Sequence, residues 1–540
     1  MARVLVSDPI DNAGVERLSA AGHEVDVKIG LKPEALEAII GEYDALIVRS
    51  ETKVTSSVIE KAKRLQVVGR AGVGVDNIDL DAATGHGVAV VNAPTGNTIA
   101  AAEHAFALMM SLSRNVAQAD ASMRRGEWTR GKFMGVELRG KTLGVIGLGK
   151  VGSEVAKRAV AFQMNVIAFD PYVAEERARS MGVEMVDMDR LVSQTDYISI
   201  HTPLTSGTKS LIGEPEFKKL KKGVRIINAA RGGLVDEELL DAALKSGDVA
   251  GAALDVFTSE PPKEMPLLSN EKLVMTPHLG ASTEEAQVEV AIEVVDQVMA
   301  VLNGEAAPYT INVPFVPAAV REALSPYIPV ATLMGRLAIQ LSDGQLDTVA
   351  INVVGDISEY DTSIIGAAAL VGVLAESSDV RVNLVNAPLI AKERGINVVQ
   401  ERESEAPAVY SNYVGIEVRT STGTMYLGGT SANGRVHLLR INDFYLDMEP
   451  NAPYMLFTSQ IDQPGMIGKV GTIAGSHDAN ISFMEVGRDS PRGKATMVVG
   501  FDDQLTDAMV ADIKAIPGMT SVKLVHQELM TPTQPRLRGA

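Results

Sequence analysis

The feature that most constrains the fold is a glycine-rich turn between a short apolar strand and a helix. Residues 147–152 read Gly-Leu-Gly-Lys-Val-Gly and follow the predicted strand Leu143–Ile146. In this spacing the first glycine permits a tight turn, the second lets the backbone approach a pyrophosphate, and the third lets the helix pack on the strand. The turn therefore predicts a Rossmann-type domain, in which the diphosphate-binding residues are Gly147, Gly149, Lys150, Val151 and Gly152.

An acidic residue ends the next predicted strand. Asp170 lies 18 residues beyond Gly152, where a carboxylate can accept hydrogen bonds from both hydroxyls of the adenosine ribose. The carboxylate would repel a 2'-phosphate, so NAD rather than NADP is the predicted cofactor. The alternative is a glycine-rich turn that binds no nucleotide.

The rest of the chain suits several domains. Short β-branched runs alternate with helix-like stretches over about residues 3–96, and six further strands are predicted between residues 143 and 276. This alternation is typical of parallel βαβ units. Residues 318–450 mix helix and strand signals, and residues 453–526 follow the element order of a ferredoxin-like module. A chain of 540 residues is expected to form about three or four domains.

Composition argues against several classes of function. The net charge of −18 gives no basis for general attraction to nucleic acid or to an anionic membrane. The absence of cysteine excludes disulfides and thiolate-bound metals and is compatible with the cytoplasm. The first residues are too briefly apolar for a signal peptide, and the longest apolar stretch, residues 364–375, is too short to span a bilayer. We expect a cytoplasmic protein with no metal site and no nucleic-acid or membrane partner.

Three polar residues follow predicted strands, at the sheet edge where open α/β sheets bind ligands. They are Arg231, Glu260 and His278. The guanidinium can hold a substrate carboxylate by two parallel hydrogen bonds. The imidazole can remove a hydroxyl proton as hydride leaves the same carbon, and the glutamate can fix the imidazole tautomer. The set predicts oxidation of a small hydroxy acid.

Other polar residues near predicted strand ends leave alternatives open. His201 also follows a strand and competes with His278 as the base. Asp255 is a candidate to hold the carboxamide of the nicotinamide. His104 lies in an apolar helical stretch, so we interpret it as buried structure or as part of an interface.

Five segments together resemble the signatures of the D-isomer-specific 2-hydroxyacid dehydrogenases: Gly147–Gly152, Asp170, Asn228–Gly233, Ala253–Phe257 and Thr276–Gly280. The resemblance spans about the first 310 residues. It implies the catalytic roles given above to Arg231, Glu260 and His278. It also implies further cofactor-binding residues, namely Thr202, Ala229, Ala230, Arg231, Asp255, His278, Gly280 and Ala281.

The same resemblance implies an α/β architecture of four domains. A Rossmann-type doubly wound nucleotide-binding domain, residues 98–282, is inserted in a flavodoxin-like substrate domain made of residues 1–97 and 283–310. An α+β intermediate domain, residues 318–450, resembles the extra, allosteric substrate-binding-like domain of the longer family members. A ferredoxin-like ACT domain, residues 453–527, follows it.

Within the family, three segments resemble the members that oxidise 3-phosphoglycerate to 3-phosphohydroxypyruvate: Val48–Ser50, Gly69–Asn77 and Trp128–Gly135. A phosphorylated substrate needs cations that this acidic chain otherwise lacks, and Arg49 with Arg130 would supply them. The implied substrate-binding residues are Arg49, Ser50, Val73, Gly74 and Arg130. The alternative for both arginines is ordinary solvated surface.

The segment from Ser459 to Ser482 resembles the amino-acid-binding turn of ACT domains. The resemblance implies that Asp462 binds an amino group and that Asn480 binds a carboxylate or hydroxyl, with L-serine as a candidate effector. Family habit and an exposed ferredoxin-like sheet edge imply a homodimer or homotetramer.

Two other functions compete with oxidation of 3-phosphoglycerate. One is a different D-2-hydroxyacid dehydrogenase activity, of the glycerate or hydroxypyruvate type. The other is a nucleotide-sensing scaffold, like the corepressors built on this fold, in which turnover is incidental. The joint presence of Arg231, Glu260 and His278 favours an enzyme.

Overall fold

The computed structural model describes residues 1–263, 265–305, 307–313, 318–378, 380–405 and 410–527. The chain divides into two compact units. The first comprises Met1–Val54, Lys61–Ile78 and Val91–Tyr309, and the second comprises Thr55–Glu60, Asp79–Val90 and Thr310–Ala540.

The first sheet has five strands: β1 (Arg3–Val6), β2 (Glu24–Val27), β3 (Ala45–Val48), β4 (Val67–Arg70) and β5 (Ala89–Asn92). Their order is β2-β1-β3-β4-β5, which is the flavodoxin-like order. The helices between them are α1 (Asn12–Ala20), α2 (Pro33–Ile39), α3 (Ser56–Lys61) and α4 (Leu80–Gly85). The sequence pattern did not predict β2, because this edge strand alternates acidic with apolar residues and is only partly buried.

The second sheet has seven strands: β6 (Thr142–Ile146), β7 (Asn165–Phe169), β8 (Glu184–Met185), β9 (Tyr197–Ile200), β10 (Val224–Asn228), β11 (Val249–Leu254) and β12 (Leu273–Met275). Their order is β12-β11-β10-β9-β6-β7-β8, and the direction of strand addition reverses between β6 and β9. This is a Rossmann-type doubly wound sheet, so the predicted fold class is confirmed. The two-residue strand β8 is the one that the sequence did not predict.

Helices flank this second sheet and return the chain to the first. They are α5 (Thr98–Arg114), α6 (Val116–Arg124), α7 (Lys150–Ala161), α8 (Glu175–Ser180), α9 (Met188–Gln194), α10 (Glu214–Phe217), α11 (Glu237–Ser246) and α12 (Glu284–Leu302). The last of these, α12, packs on α1 and β4. A Cβ at Gly69 in β4 would lie 2.6 Å from Val298, so glycine is what allows this close approach.

The third sheet has six strands: β13 (Leu346–Gly355), β14 (Asn397–Glu403), β15 (Asn412–Thr420), β16 (Gly423–Ala432), β17 (Arg435–Ile441) and β18 (Phe444–Met448). Their order is β14-β13-β15-β16-β17-β18. The accompanying helices are α13 (Ala318–Leu324), α14 (Ile328–Leu341), α15 (Ser363–Leu374) and α16 (Ala387–Glu393). Apolar residues of α14, α15 and β13 form the centre of one core.

The fourth sheet consists of β19 (Tyr454–Ile461), β20 (Ile481–Arg488), β21 (Lys494–Phe501) and β22 (Met519–His526). With α17 (Met466–Ser476) and α18 (Asp507–Lys514) it follows the strand order β20-β21-β19-β22. This is the predicted ferredoxin-like arrangement. Among the described residues we find no helix that combines the length and the apolar character needed to cross a bilayer.

Candidate active site

The glycine-rich turn lies between β6 and α7. Gly147 has a φ of 90°, and a Cβ there would lie 2.6 Å from the carbonyl oxygen of His201. A Cβ at Gly152 would lie 1.9 Å from the carbonyl oxygen of Gly147, whereas one at Gly149 would meet no atom within 4 Å. Packing therefore requires the first and third glycines, and the second leaves open space at the N-terminus of α7, where a diphosphate fits.

Asp170 links the glycine turn to the end of β7. Its Oδ2 accepts a hydrogen bond of 2.8 Å from the Leu148 amide, and its Oδ1 accepts one of 2.8 Å from the Tyr172 amide. Each carboxylate oxygen keeps a further lone pair that can accept a ribose hydroxyl. The side chain is partly exposed, so the geometry fits the predicted ribose site.

The other predicted cofactor residues lie beside the ends of β9, β10 and β12. A Cβ at Gly147 would lie 2.8 Å from Thr202 Cγ2, and Thr202 Oγ1 is buried without a hydrogen-bond partner in the described part of the chain. A Cβ at Gly280 would lie 3.9 Å from the carbonyl oxygen of Ala229. These residues fit a dinucleotide, because an unpaired buried hydroxyl and small residues border the same sheet edge. The remaining predicted positions, Lys150, Val151, Ala230 and Ala281, adjoin these residues in sequence.

Glu260 and His278 form a hydrogen-bonded pair, called here the catalytic pair. His278 Nδ1 lies 2.7 Å from Glu260 Oε2, and Glu260 Oε1 accepts a bond of 3.1 Å from the Phe257 amide. A carboxylate beside Nδ1 places the ring proton there, which leaves Nε2 of the neutral ring as a proton acceptor. His278 has a φ of 55°, a left-handed conformation that a non-glycine residue adopts only when its surroundings hold it.

Asp255 supplies that support. Its carboxylate is fully buried and accepts hydrogen bonds from Thr276 Oγ1 at 2.6 Å, the Leu279 amide at 2.7 Å and the Gly280 amide at 2.9 Å. The Asp255 carbonyl also accepts the His278 amide at 2.8 Å. Because these bonds engage the carboxylate inside the protein, its contact with a nicotinamide carboxamide stays a prediction.

His201 has a different environment. Its Nε2 lies 2.8 Å from Ser199 Oγ, and burial lowers its pKa to about 4. The structure records no carboxylate partner for it among the described residues. The geometry therefore favours His278 as the base.

Three arginines, called here the arginine cluster, face one another near the ends of β3, β4 and β10. The pairing of Val48 with Arg70 puts Arg49 and Arg70 at adjacent strand ends. A Cβ at Gly74 would lie 2.1 Å from Arg231 Nη2, so the Arg231 guanidinium lies over the predicted substrate residue Gly74. Burial and then the charge of Arg231 lower the pKa of Arg70 to about 10, Asp76 opposes this lowering, and Arg49 and Asp8 have smaller effects of opposite sign.

Few local acceptors satisfy this cluster. The Arg70 Nε is buried and has no hydrogen-bond partner among the residues that the structure describes. Arg231 Nη1 donates to its neighbouring Ala230 carbonyl at 2.7 Å, and its Nε lies 3.4 Å from Asp76, a mostly exposed carboxylate. Like charges with so few acceptors favour an anionic ligand.

The loop that carries Arg49 is held by the buried Asp8 and the partly buried Asn77. Asp8 Oδ2 accepts the Arg49 amide at 2.6 Å, and Asn77 Nδ2 donates to the Arg49 carbonyl at 2.8 Å. Sequence reasoning missed Arg70, Asp8 and Asn77 as contributors. Arg70 could have been predicted because it ends a strand next to the one that Arg49 follows. The roles of Asp8 and Asn77 could not, because they depend on contacts between residues distant in sequence.

For the other predicted substrate residues the structure gives fewer contacts with the arginine cluster. Ser50 is exposed beside Arg49, and Val73 lies beside Gly74. Arg130 is exposed on the turn Arg130–Phe133, and no recorded hydrogen bond or ion pair of the described residues joins it to the arginine cluster. Its role in binding phosphate stays a prediction.

The predicted effector residues lie in two loops: Asp462 directly follows β19, and Asn480 lies between α17 and β20. Asp462 Oδ2 accepts hydrogen bonds of 3.1 Å from Arg488 Nη1 and from the Arg492 amide, which lower its pKa. Asn480 Nδ2 donates to Asp502 Oδ2 at 2.5 Å. Both side chains have intramolecular partners that a bound amino acid would have to replace.

Two family models match the chain. The model described as D-isomer specific 2-hydroxyacid dehydrogenase, NAD binding domain, matches residues 106–280. The model described as D-3-phosphoglycerate dehydrogenase intervening domain matches residues 323–442. The first covers the glycine turn, Arg231, Glu260 and His278.

Curated relatives extend the similarity to nearly the whole chain. D-3-phosphoglycerate dehydrogenase of Synechocystis sp. is 44% identical over 96% of this chain and 94% of its own length. The enzyme of the same name from Methanocaldococcus jannaschii is 43% identical over 97% of this chain and all of its own length. A solved D-lactate dehydrogenase from Aquifex aeolicus, complexed with NAD and lactic acid, is 26% identical with a TM-score of 0.53 over 58% of this chain and 99% of its own.

Proposed function

This chain belongs to the D-3-phosphoglycerate dehydrogenase family, and on that premise we propose that it oxidises 3-phospho-D-glycerate to 3-phosphohydroxypyruvate, the first step of L-serine biosynthesis. It is an NAD-dependent oxidoreductase. The observation that carries the choice of substrate is the arginine cluster, because a substrate with a carboxylate and a phosphate can engage guanidinium groups at both ends.

The catalytic pair performs the proton transfer in this proposal. The glycine turn and Asp170 would hold NAD, which would supply the hydride acceptor for the C2 carbon of the substrate. His278 Nε2 takes the proton of the C2 hydroxyl, since Nδ1 faces Glu260 at 2.7 Å. The Glu260 carboxylate stabilises the resulting imidazolium and holds the ring in one orientation.

The arginine cluster binds the two anionic groups of the substrate. Arg231 gives up its contact with Asp76 and binds the substrate carboxylate. Its guanidinium lies over Gly74, and Arg231 follows a strand of the same sheet as the catalytic pair. Arg49 and Arg70, at the ends of β3 and β4, take the phosphate. Arg130 remains a further candidate for that end. Binding these two anionic groups relieves the repulsion among three guanidinium groups.

The four-domain division and the remaining partners belong to the same proposal. Residues 1–97 with 283–310 bind substrate, residues 98–282 bind NAD, residues 318–450 form the intermediate domain, and residues 453–527 form an ACT domain. The sheet of this last domain has the ferredoxin-like order, which supports regulation by an amino acid such as L-serine at Asp462 and Asn480. We propose a cytoplasmic homodimer or homotetramer.

A direct spectrophotometric assay of the reverse reaction tests this proposal. The purified chain is given 3-phosphohydroxypyruvate and NADH, and nicotinamide absorbance is followed with hydroxypyruvate and NADPH as matched alternatives. We expect turnover with NADH and the phosphorylated substrate. Turnover only with hydroxypyruvate would assign a glycerate-type dehydrogenase, and absence of turnover with every pair would favour a nucleotide-sensing scaffold.

A further inference from the structure

We propose that His104 is a positioning residue for the catalytic loop, residues 276–280, and that it acts through Asp255. The inference rests on the proposed function, because it concerns the same reaction. His104 lies on α5 and its side chain is 19% exposed. Sequence reasoning placed it in buried structure or an interface, whereas its contacts lead to the catalytic loop.

The three side chains lie within hydrogen-bonding distance of one another. His104 Nε2 lies 3.0 Å from Thr276 Oγ1 and 3.1 Å from Asp255 Oδ1. Thr276 Oγ1 donates its only proton to Asp255 Oδ1 at 2.6 Å, and an ionised carboxylate has no proton to give. Both contacts of the imidazole therefore require a proton on His104 Nε2.

This donor completes the environment of a buried negative charge. Asp255 is fully buried, and burial alone would raise its pKa. Hydrogen bonds from His104, Thr276 and the Leu279 amide instead bring the pKa below its usual value. Removing one donor from a buried carboxylate leaves an incompletely satisfied group, and the local structure must shift to compensate.

The part of the structure that would shift is the loop bearing the base. Asp255 holds the Leu279 and Gly280 amides through its carboxylate and the His278 amide through its carbonyl. His278 itself has a left-handed φ of 55°. A displacement of about 1 Å at a reacting group can lower turnover by about 100-fold. His104 thus connects α5 to the orientation of His278 without touching substrate.

The test compares two substitutions of His104. His104→Leu removes the donor, and His104→Gln keeps an N–H near the position of Nε2. We expect His104→Leu to lower kcat by about 10- to 100-fold, with KM for 3-phosphoglycerate and the Kd of NADH within about threefold of wild type. His104→Gln should recover most of the loss. Glu103→Gln, on the same helix but exposed and paired with Arg158, is the matched control and should leave kcat unchanged.

Thr276→Val provides a second route if His104→Leu does not fold, because it removes the hydroxyl that joins His104 to Asp255 and keeps the side-chain shape. It should lower kcat with the same small effect on KM. Wild-type kcat in a folded His104→Leu or Thr276→Val, or an equal loss in His104→Gln and His104→Leu, would overturn the inference. An inactive wild-type chain would instead contradict the proposed function.

Discussion

The catalytic pair and the arginine cluster differ in how the protein holds them. Glu260 and His278 are hydrogen-bonded to each other, and the loop that carries His278 is hydrogen-bonded to the buried Asp255. Arg70 lies near the like charges of Arg231 and Arg49, which Asp76 and Asp8 offset only in part, and its Nε has no hydrogen-bond partner in the described residues. In the proposed function, the catalytic pair is oriented before substrate binds, whereas the arginine cluster would reach full pairing only with an anionic substrate.

The largest effect should come from removing the base. His278→Ala should lower kcat by about 10² to 10⁴, the usual contribution of general acid–base catalysis, while the Kd of NADH changes little. Steady-state kinetics and NADH fluorescence measure the two quantities. His86→Ala, an exposed histidine, is the control. Near-normal turnover in His278→Ala would move the role of base to His201.

The next effect concerns the arginine cluster. Arg70→Met should lower kcat/KM for 3-phosphoglycerate by about 10- to 100-fold, because a charge-assisted hydrogen bond contributes about 1.5–3 kcal/mol. It should also raise the unfolding midpoint of the substrate-free protein, since a poorly paired buried charge is removed. Kinetics and thermal unfolding test both, with the exposed Arg177→Met as control. A lower midpoint with unchanged kcat/KM would show that Arg70 is structural.

A smaller effect is expected at the ribose site. Asp170→Ala should weaken NAD binding by about tenfold through loss of charge-assisted bonds, and it should reduce the preference for NAD over NADP because the repelling carboxylate is gone. Titration with both cofactors measures the ratio. An unchanged ratio would remove Asp170 from ribose recognition.

The smallest effect should come from the ferredoxin-like module. Asn480→Ala should raise the L-serine concentration for half-inhibition by about fivefold or more, within the usual range of coupling between sites, and should leave kcat and KM unchanged. Asn397→Ala, at an exposed position of β14 in the third sheet, serves as a control. If L-serine fails to inhibit the intact enzyme, the effector assignment fails and the module is better interpreted as an assembly element.

Local patterns predicted the glycine turn better than the contacts among the arginines. The need for glycine at 147 and 152 follows from the path of one turn, so residue spacing alone identified both positions. Glu260 and His278 were predicted to act together because both residues follow strand ends, and the structure places them 2.7 Å apart. The edge strands β2 and β8 were missed because partial exposure removes the apolar run on which strand prediction depends.

The substrate site and its supports depend on residues that are distant in sequence. Arg70 becomes informative only when β4 lies beside β3 and Arg231 approaches from the second sheet. His104 was interpreted as buried structure or as part of an interface because its helix is apolar, and its link to Asp255 joins positions 151 residues apart. Contacts of this kind need the tertiary structure, which composition and periodicity do not specify.

The ratio of kcat/KM for 3-phosphoglycerate to that for D-glycerate, measured with NAD on the intact chain, tests whether the arginine cluster selects the phosphate. The two substrates share the carboxylate and the reacting hydroxyl, so they differ only at the group assigned to Arg49 and Arg70. We expect a ratio of at least about 10² in favour of the phosphorylated acid, from at least two charge-assisted contacts. A ratio near one would show that the arginine cluster does not select a phosphate.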